Sequence, residues 1–395
     1  MRAVTLRHKY PSVACIFGAL LCIATISTRA EAAGIIAAYY DGNIPVAAIP
    51  AARLDYLIYA FVEPDDRDLC AAPTAAQLDI FAGLRKLRAQ HPGLHLLLSI
   101  GGWGAAPQYS DAALTADSRT AFARSCIQQY VAQQGFEGID LDWEFPVHGG
   151  MNKSRPQDRT DATALVRELR RQLDLLGGKD RRHYYLTVAA PAGTWQQGGA
   201  YSVSDSYDLA ALVGSVDWLN VMTYDMNNVF SPVSGFNTPL HADPRDPTPQ
   251  PQRTRDNLEG AVQYFESHGV PAGKIMLGVA FYGRGFTGVS AAGAGLYSKY
   301  MGGFEETAWK DVRAQFLTDT GWEKHWSDTA EAPWLYNAKQ HIFFSYDDPE
   351  SMALKAGFVS QQHLRGAVIW VLGEDDPQDS LLDALAPKLV SRSKE

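Results

Sequence analysis

"GFEGIDLDWEFP" occupies residues 135–146, and how the chain is read depends on it. Asp140, Asp142 and Glu144 alternate there with Ile139, Leu141 and Trp143. Alternation of period two is strand behaviour, because successive strand side chains point to opposite faces. The acids therefore share one face, and Ile139, Leu141 and Trp143 share the other, with Trp143 expected in the core. Carboxylates that close repel, so at least one should keep a proton at neutral pH. Asp140 is deepest in the series and Glu144 stands at the rim. A solvated strand end is the plain alternative. A calcium site is another, but the run lacks the Asn, Gly and carbonyl-rich loop of such sites, and no metal or cofactor is assigned.

Further strand-like runs recur along the chain: "GIIAAYY" from Gly34, "LDYLIYAFV" from Leu54, "LHLLLSIGG" from Leu94, "YYLTVAAPA" from Tyr184, "VDWLNVMTYD" from Val216, "KIMLGVAFYG" from Lys274 and "RGAVIWVLG" from Arg365. Most are long apolar runs, as expected of parallel strands covered by helices. Between them "TAAQLDIFAGLRKLRAQHPG" and "DATALVRELRRQLDLLGG" carry apolar residues at helical spacing and end at Pro or Gly. With the acidic run this makes eight strand–helix repeats, which suggests an α/β fold of the closed (β/α)8 barrel type. An open doubly wound sheet competes, but no Gly-rich phosphate loop follows the first strand. The interval Phe286 to Ser345 is too long for a βα connection. It reads as a small α+β insertion domain between strands seven and eight, standing above the C-terminal face of the barrel.

The 395 residues are 46% apolar and 20% charged, an ordinary globular composition. A formal net charge of −9 with no Lys/Arg cluster argues against nucleic acid as a partner. Residues 1–32 read as a secretory signal: Arg2, Arg7 and Lys9 precede the apolar run Val13 to Ile26, and "AEAA" offers a cleavage site. The apolar run is too short to favour a membrane anchor. Residues 33–395 would then be a secreted catalytic domain with no membrane contact, expected to be monomeric. Cys70 and Cys126 would remain after cleavage. They could pair in an oxidising compartment, but nothing in the sequence shows that they meet, and they are read here as separate buried thiols.

The motifs resemble glycoside hydrolase family 18 chitinases of the subfamily with an inserted α+β domain, over essentially the whole chain after the leader. That family carries Asp-x-x-Asp-x-Asp-x-Glu on its fourth strand; here "EGIDLDWE" has Glu137 in the first place, a structural position in the family, and matches at Asp140, Asp142 and Glu144. "SIGG" (Ser99 to Gly102) followed by Trp103 fits the third strand, and "MTYD" (Met222 to Asp225) fits the sixth. Tyr282 to Arg284 fits the seventh-strand "YGR", and Trp370 fits the last strand's Trp.

The resemblance implies hydrolysis of β-1,4 bonds in chitin or N-acetylglucosamine oligosaccharides, with the substrate's acetamido oxygen as nucleophile. Glu144 is then the proton donor. Asp142 and Asp140 share a proton, Asp142 turns toward Glu144, and its neighbouring carboxylate helps to keep Glu144 protonated. Tyr224 holds the acetamido group, and Ser99 and Tyr39 support Asp140. Trp370 is the floor under the sugar being cleaved and Trp103 serves the leaving-group side. Asp225, Met222, Tyr282 and Arg284 line the same cleft. Two departures weaken expected binding at remote sugars: Phe230 stands where relatives often have Trp, and "DGNIPVAAIP" lacks a Trp found in some of them. The rival readings are an endo-β-N-acetylglucosaminidase acting on glycans and a non-hydrolytic chitin lectin. Lectins of this type usually lose the acidic Glu, which is present here.

Overall fold

The computed structural model describes residues 1, 3, 34–65, 67, 69–104, 108–147, 153–194 and 202–389. The expected leader therefore lies outside the described residues, apart from positions 1 and 3. All eight strand-like runs form strands. Seven come in succession: β1 Ile35–Tyr40, β2 Tyr56–Val62, β3 His95–Gly101, β4 Gly138–Asp142, β5 Tyr185–Pro191, β6 Trp218–Met222 and β7 Ile275–Ala280. Five more follow: β8 Tyr282–Thr287, β9 Gly302–Ala308, β10 Glu323–Ser327, β11 Ala332–Asn337 and β12 Ile342–Ser345. β13, Gly366–Trp370, is the eighth of the runs. Strands β1 to β7 and β13 pair in the order β1-β13-β7-β6-β5-β4-β3-β2 and close into a parallel barrel. This is the (β/α)8 architecture, with helices such as Ala75–Gln90 and Asp158–Asp180 as crossovers.

Burial along the strands explains the alternation in 135–146. Ile139 and Leu141 belong to the cluster packed between strands and helices, together with Ile36, Ala38, Leu219 and Val221. The opposite faces point into the barrel, where Ala37, Tyr39, Leu97, Trp218 and Val368 cluster. Asp140 and Asp142 sit on that inner side and are fully or almost fully buried. Trp143 is buried on the helix side, its ring stacked on Tyr109 at 5.3 Å.

Strands β8 to β12 form a second sheet, antiparallel, in the order β10-β11-β12-β8-β9. The run "KIMLGVAFYG" thus contains the end of one strand and the start of another, broken at Phe281. The sheet begins at Tyr282, ahead of the expected Phe286. One of its faces has a core of its own, in which Phe286, Trp334, Tyr336 and Phe343 pack with Phe236. Leu335 and Phe344 point the other way and join the main core.

Two further expectations need correction. Cys70 and Cys126 form a disulfide, with Cα atoms 5.1 Å apart. After β2 the chain folds back through a bridge between Pro64 and Cys70 and lies against the helix ending at Cys126. There the Cys70 N–H donates to Ser125 Oγ (3.0 Å), and Gln129 donates to the Cys70 carbonyl (2.9 Å). That return path is a tertiary feature that no local pattern announces. The helix expected to end at Gly177–Gly178 runs on to Asp180 and stops at Arg181, whose φ is 56°. A Cβ on Gly177 would stand 2.4 Å from the Arg182 carbonyl oxygen, so this glycine admits the returning chain instead of ending the helix.

Candidate active site

A cleft of about 630 Å³ opens over the C-terminal ends of the barrel strands. Tyr39 comes from the end of β1, Trp103 follows β3, Asp142 ends β4 and Met222 ends β6. Glu144, Tyr224 and Asp225 follow their strands by two or three residues, and Trp370 ends β13. Phe230, Tyr282 and Arg284 complete the set of expected cleft residues. Asp140 and Ser99 do not line the cleft; they lie beneath it, with no solvent exposure. Ligand sites in this fold gather at this face, because the βα loops can vary there without disturbing the core.

The close approach of β3 to β4 explains the two glycines of "SIGG". Gly101 and Gly102 have φ of 116° and 98°. A Cβ on Gly101 would sit 1.9 Å from the Asp142 carbonyl oxygen, and one on Gly102 would meet the Phe61 ring at 3.0 Å. Without side chains the two strands can touch, and the Gly102 N–H donates to the Asp142 carbonyl at 3.0 Å. The position of Asp142 is set through this backbone contact.

The acids occupy three different environments. Asp140 accepts four hydrogen bonds: Tyr39 Oη (2.9 Å) and Ser99 Oγ (2.8 Å) donate to Oδ2, while Thr187 Oγ1 (2.6 Å) and Asn220 Nδ2 (3.0 Å) donate to Oδ1. Burial pushes its carboxyl up, and these bonds, that from Thr187 foremost, pull it back by favouring the charged form. Asp142 lacks such support. Its Oδ1 is buried and has no hydrogen-bond partner among the described residues. Burial first, then the charges of Glu144 and Asp140, raise it well above the usual carboxylate range. Of the pair, Asp140 is the one whose charged form the protein supports with hydrogen bonds, and Asp142 is the one pushed further up. Glu144 is pushed up to about 8, by burial first and then by the charge of Asp225. The charged neighbour expected for Glu144 was Asp142; the one whose charge raises it, after burial, is Asp225.

Asp225 has a left-handed backbone, φ 58°, unusual for a residue with a Cβ. The side chain of Asn237 holds it there by accepting the Asp225 N–H at 2.9 Å. Its carboxylate accepts Tyr282 Oη at 2.7 Å and both Nε and Nη2 of Arg284, the latter at 2.7 Å. A bidentate guanidinium fixes carboxylate orientation as well as charge. Tyr224 packs edge-on against Tyr282, ring centres 6.1 Å apart. Burial, followed by the charges of Asp142 and Glu144, raises the Tyr224 phenol well above its ordinary value, so it remains a hydrogen-bond donor.

Aromatic rings line the cleft around these groups. Trp370 lies 5.4 Å from Tyr39 and is stacked on Phe61 at 5.7 Å. Trp103 approaches Phe145 and Phe230 at 6.2 and 6.5 Å. Phe61 and Phe145, together with Phe304 and Glu306 from β9, line the cleft without having been singled out from the sequence. Thr187 and Asn220 were also passed over. A signal for them existed, since each is a polar residue inside an otherwise apolar strand run. No such signal marks β9, whose place beside the cleft depends on sheet pairing across the second sheet. At the opposite end of β4, Glu137 meets Arg88, Arg182 and His95 at 3.0, 2.7 and 3.2 Å. Burial opposes its charge, but bonds from His95 and Arg88 outweigh that and hold it at about 2, far from the cleft chemistry.

The sequence matches the family described as Glycosyl hydrolases family 18 over residues 35–375. The chain belongs to that family. It is 37% identical to Chitinase A1 of Niallia circulans over 302 residues, a match covering 74% of this chain and 42% of that protein. It therefore spans less than half the length of this relative. It is 29% identical to Chitinase B of Serratia marcescens, covering 85% of this chain and 76% of that one. Among solved structures it resembles a family 18 N-acetylglucosaminidase from Paenibacillus barengoltzii, with a TM-score of 0.80 and 31% identity, covering 90% of this chain and all of the other.

Proposed function

We propose that this chain hydrolyses β-1,4 bonds between N-acetylglucosamine units of chitin or its oligomers, with retention and with the substrate's own acetamido group as nucleophile. The observation that carries the reading is the division of labour among the acids: Glu144 lines the cleft, where burial pushes its carboxyl up to about 8, while Asp140 is sealed below under four hydrogen-bond donors. A carboxyl that keeps its proton at neutral pH is suited to protonate a leaving oxygen. With Asp140 enclosed and Asp142 protonated, neither is suited to attack the sugar carbon. Substrate assistance removes the need for either to do so.

Glu144 gives its proton to the glycosidic oxygen as the acetamido oxygen bonds to the sugar C1, and the C1–O bond breaks. Asp142 turns from Asp140 toward Glu144. Its carbonyl oxygen accepts the acetamido N–H, and its proton bonds to the new Glu144 carboxylate. Tyr224 donates to the acetamido group and holds it under C1. Glu144 then takes a proton from water as that water attacks C1 and the acetamido group is restored. Trp370 supplies the apolar floor below the sugar, and Trp103 and Phe230 the leaving-group side. The Asp225, Tyr282 and Arg284 cluster holds the sugar beside the break. We further propose that the chain acts as a secreted monomer. The leader-like start and the disulfide both fit an oxidising compartment.

Cleavage of partly acetylated chitosan tests the mechanism. Cuts should fall only where an acetylated sugar precedes the broken bond, and a thiazoline analogue should inhibit. Efficient cleavage of fully deacetylated polymer would point to a carboxylate nucleophile instead. The likeness to an N-acetylglucosaminidase over that protein's full length favours a second reading, removal of single N-acetylglucosamine units. Product length from chitin hexamer separates the two: dimers and longer pieces fit a chitinase, and monomer from the first turnover fits the alternative.

A further inference from the structure

Asp140 is ringed by donors of two kinds. Tyr39, Ser99 and Thr187 offer hydroxyls, which can turn and accept a hydrogen bond as well as donate one. Asn220 offers an amide, whose nitrogen only donates. Which end of that amide faces Asp140 is decided by Trp218, whose indole N–H donates to Asn220 Oδ1 at 2.9 Å. An indole nitrogen has no acceptor capacity, so the amide oxygen must face Trp218 and its nitrogen must face Asp140. Nδ2 then lies 3.0 Å from Asp140 Oδ1 and 3.3 Å from Tyr39 Oη. It thus supplies one carboxylate oxygen directly and occupies an acceptor position on the phenol that supplies the other.

Trp218 is itself held fast. It is fully buried, packs edge-on against Tyr56 at 4.7 Å and carries the Arg365 guanidinium 4.5 Å from its ring. Asn220 is 1% exposed, so water does not compete for the amide. The other titratable groups that feel Asp140 are acids and phenols. Asp142 lies on its own strand, Tyr39 on β1, Tyr224 beyond β6, and Tyr109 and Tyr207 on the helical side. The negative charge on Asp140 is therefore maintained by hydrogen bonds, among which the Asn220 bond is the one that cannot reverse.

We infer that Asn220, oriented by the Trp218 indole, is a positioning residue that keeps Asp140 ionised and so reserves the pair's proton for Asp142. This rests on the mechanism proposed above, in which Asp142 must carry that proton when it turns to Glu144. In that mechanism protonation of Asp140 ends turnover, so it sets the acid limb of the rate profile.

Asn220→Leu keeps the volume and removes the donor. Its acid limb in kcat should move upward by about one pH unit, since a lost bond to the charged form raises a carboxyl's pKa. The basic limb and KM should stay close to those of the unaltered protein. Trp218→Phe frees the amide to turn and should shift the same limb in the same direction by less; it also serves if Asn220→Leu does not fold. Carboxyl NMR titration of Asp140 reads the same shift without turnover, and so tests the inference even if the unaltered chain cleaves no N-acetylglucosamine oligomer and the functional reading fails. A uniform loss of rate at every pH, with the Asp140 titration unmoved in both variants, would reduce Asn220 to a packing residue.

Discussion

The cleft has two sides of unlike construction. The barrel side is parallel strand, buried on both faces, and its deepest acid is fixed by neighbours on adjoining strands: Ser99 and Thr187 lie in register with Asp140 on either side of β4. The side formed by β8 and β9 is antiparallel, and it brings Arg284, Phe304 and Glu306 to the cleft. On the barrel side nearly every polar atom of Asp140 is satisfied by protein. On the sheet side the polar groups meet in one clamp, Tyr282 and Arg284 on Asp225, which also leans electrostatically on Glu144. Bond-breaking needs groups held to a fraction of an ångström, whereas chain binding tolerates more play. The barrel is suited to the first task and the second sheet to the second.

The largest effect should come from the barrel side. Glu144→Gln keeps the shape and removes the proton, and should lower kcat by about 10²–10⁴-fold with oligosaccharide binding retained. A variant keeping more than a tenth of normal activity would move the proton donor elsewhere.

Asp225→Asn attacks the joint between the two sides. It should lower kcat by about ten- to a hundredfold, because the clamp proposed to position the sugar opens. The sign of its pH effect follows from Glu144: an acid loses rate as pH rises through its pKa, here about 8. Removing the neighbouring negative charge lowers that pKa, so the basic limb should move to lower pH. A limb that stays in place would leave burial alone responsible for the proton on Glu144.

Changes confined to the sheet side should be milder and depend on substrate length. Phe304→Ala should weaken binding of chitin hexamer by about two- to tenfold and leave cleavage of a short activated dimer nearly unchanged. Equal loss on both substrates would place Phe304 at the bond being broken and erase the contrast. Excising the whole sheet is a poorer test, because Leu335 and Phe344 belong to the main core and the barrel would lose packing with them. The least effect on activity is expected from Cys70→Ser, which opens a covalent loop of 56 residues that contains β3. It should cost about 2–4 kcal/mol of stability by denaturant titration while leaving kcat unaltered below the melting range.

Much of this architecture was legible because apolar strand runs and their spacing are local properties. The eight barrel strands were visible in that way, and so was the anomalous interval after strand seven. Three things were hidden. The break at Phe281 lies within a continuous apolar run, where only pairing partners separate one strand from the next. The disulfide depends on a segment folding back across 56 residues. The surroundings of Asp140 depend on Thr187 and Asn220, contributed by strands far along the chain, and each looked like an isolated polar residue in its own run. The sequence motifs named the residues brought together in the cleft. They did not indicate which aspartate of the pair is better held as a carboxylate, since Thr187 and Asn220, two of the donors that decide it, lie outside the motifs.

The alternation of the two cores along each barrel strand carries a consequence for how this chain can change length. Within β4 the even-numbered residues face the interior and the odd-numbered ones face the helices. Deleting a single residue inside the strand would exchange the two sets, sending both aspartates under the helices and Ile139 and Leu141 into the reaction chamber. Substitution there changes one side chain, but a one-residue shift rewrites the whole site, much as a slipped reading frame rewrites every codon after it. Gains and losses of residues are therefore tolerated in the loops alone, and the excursion from β7 to β13 shows how much chain one such connection can hold.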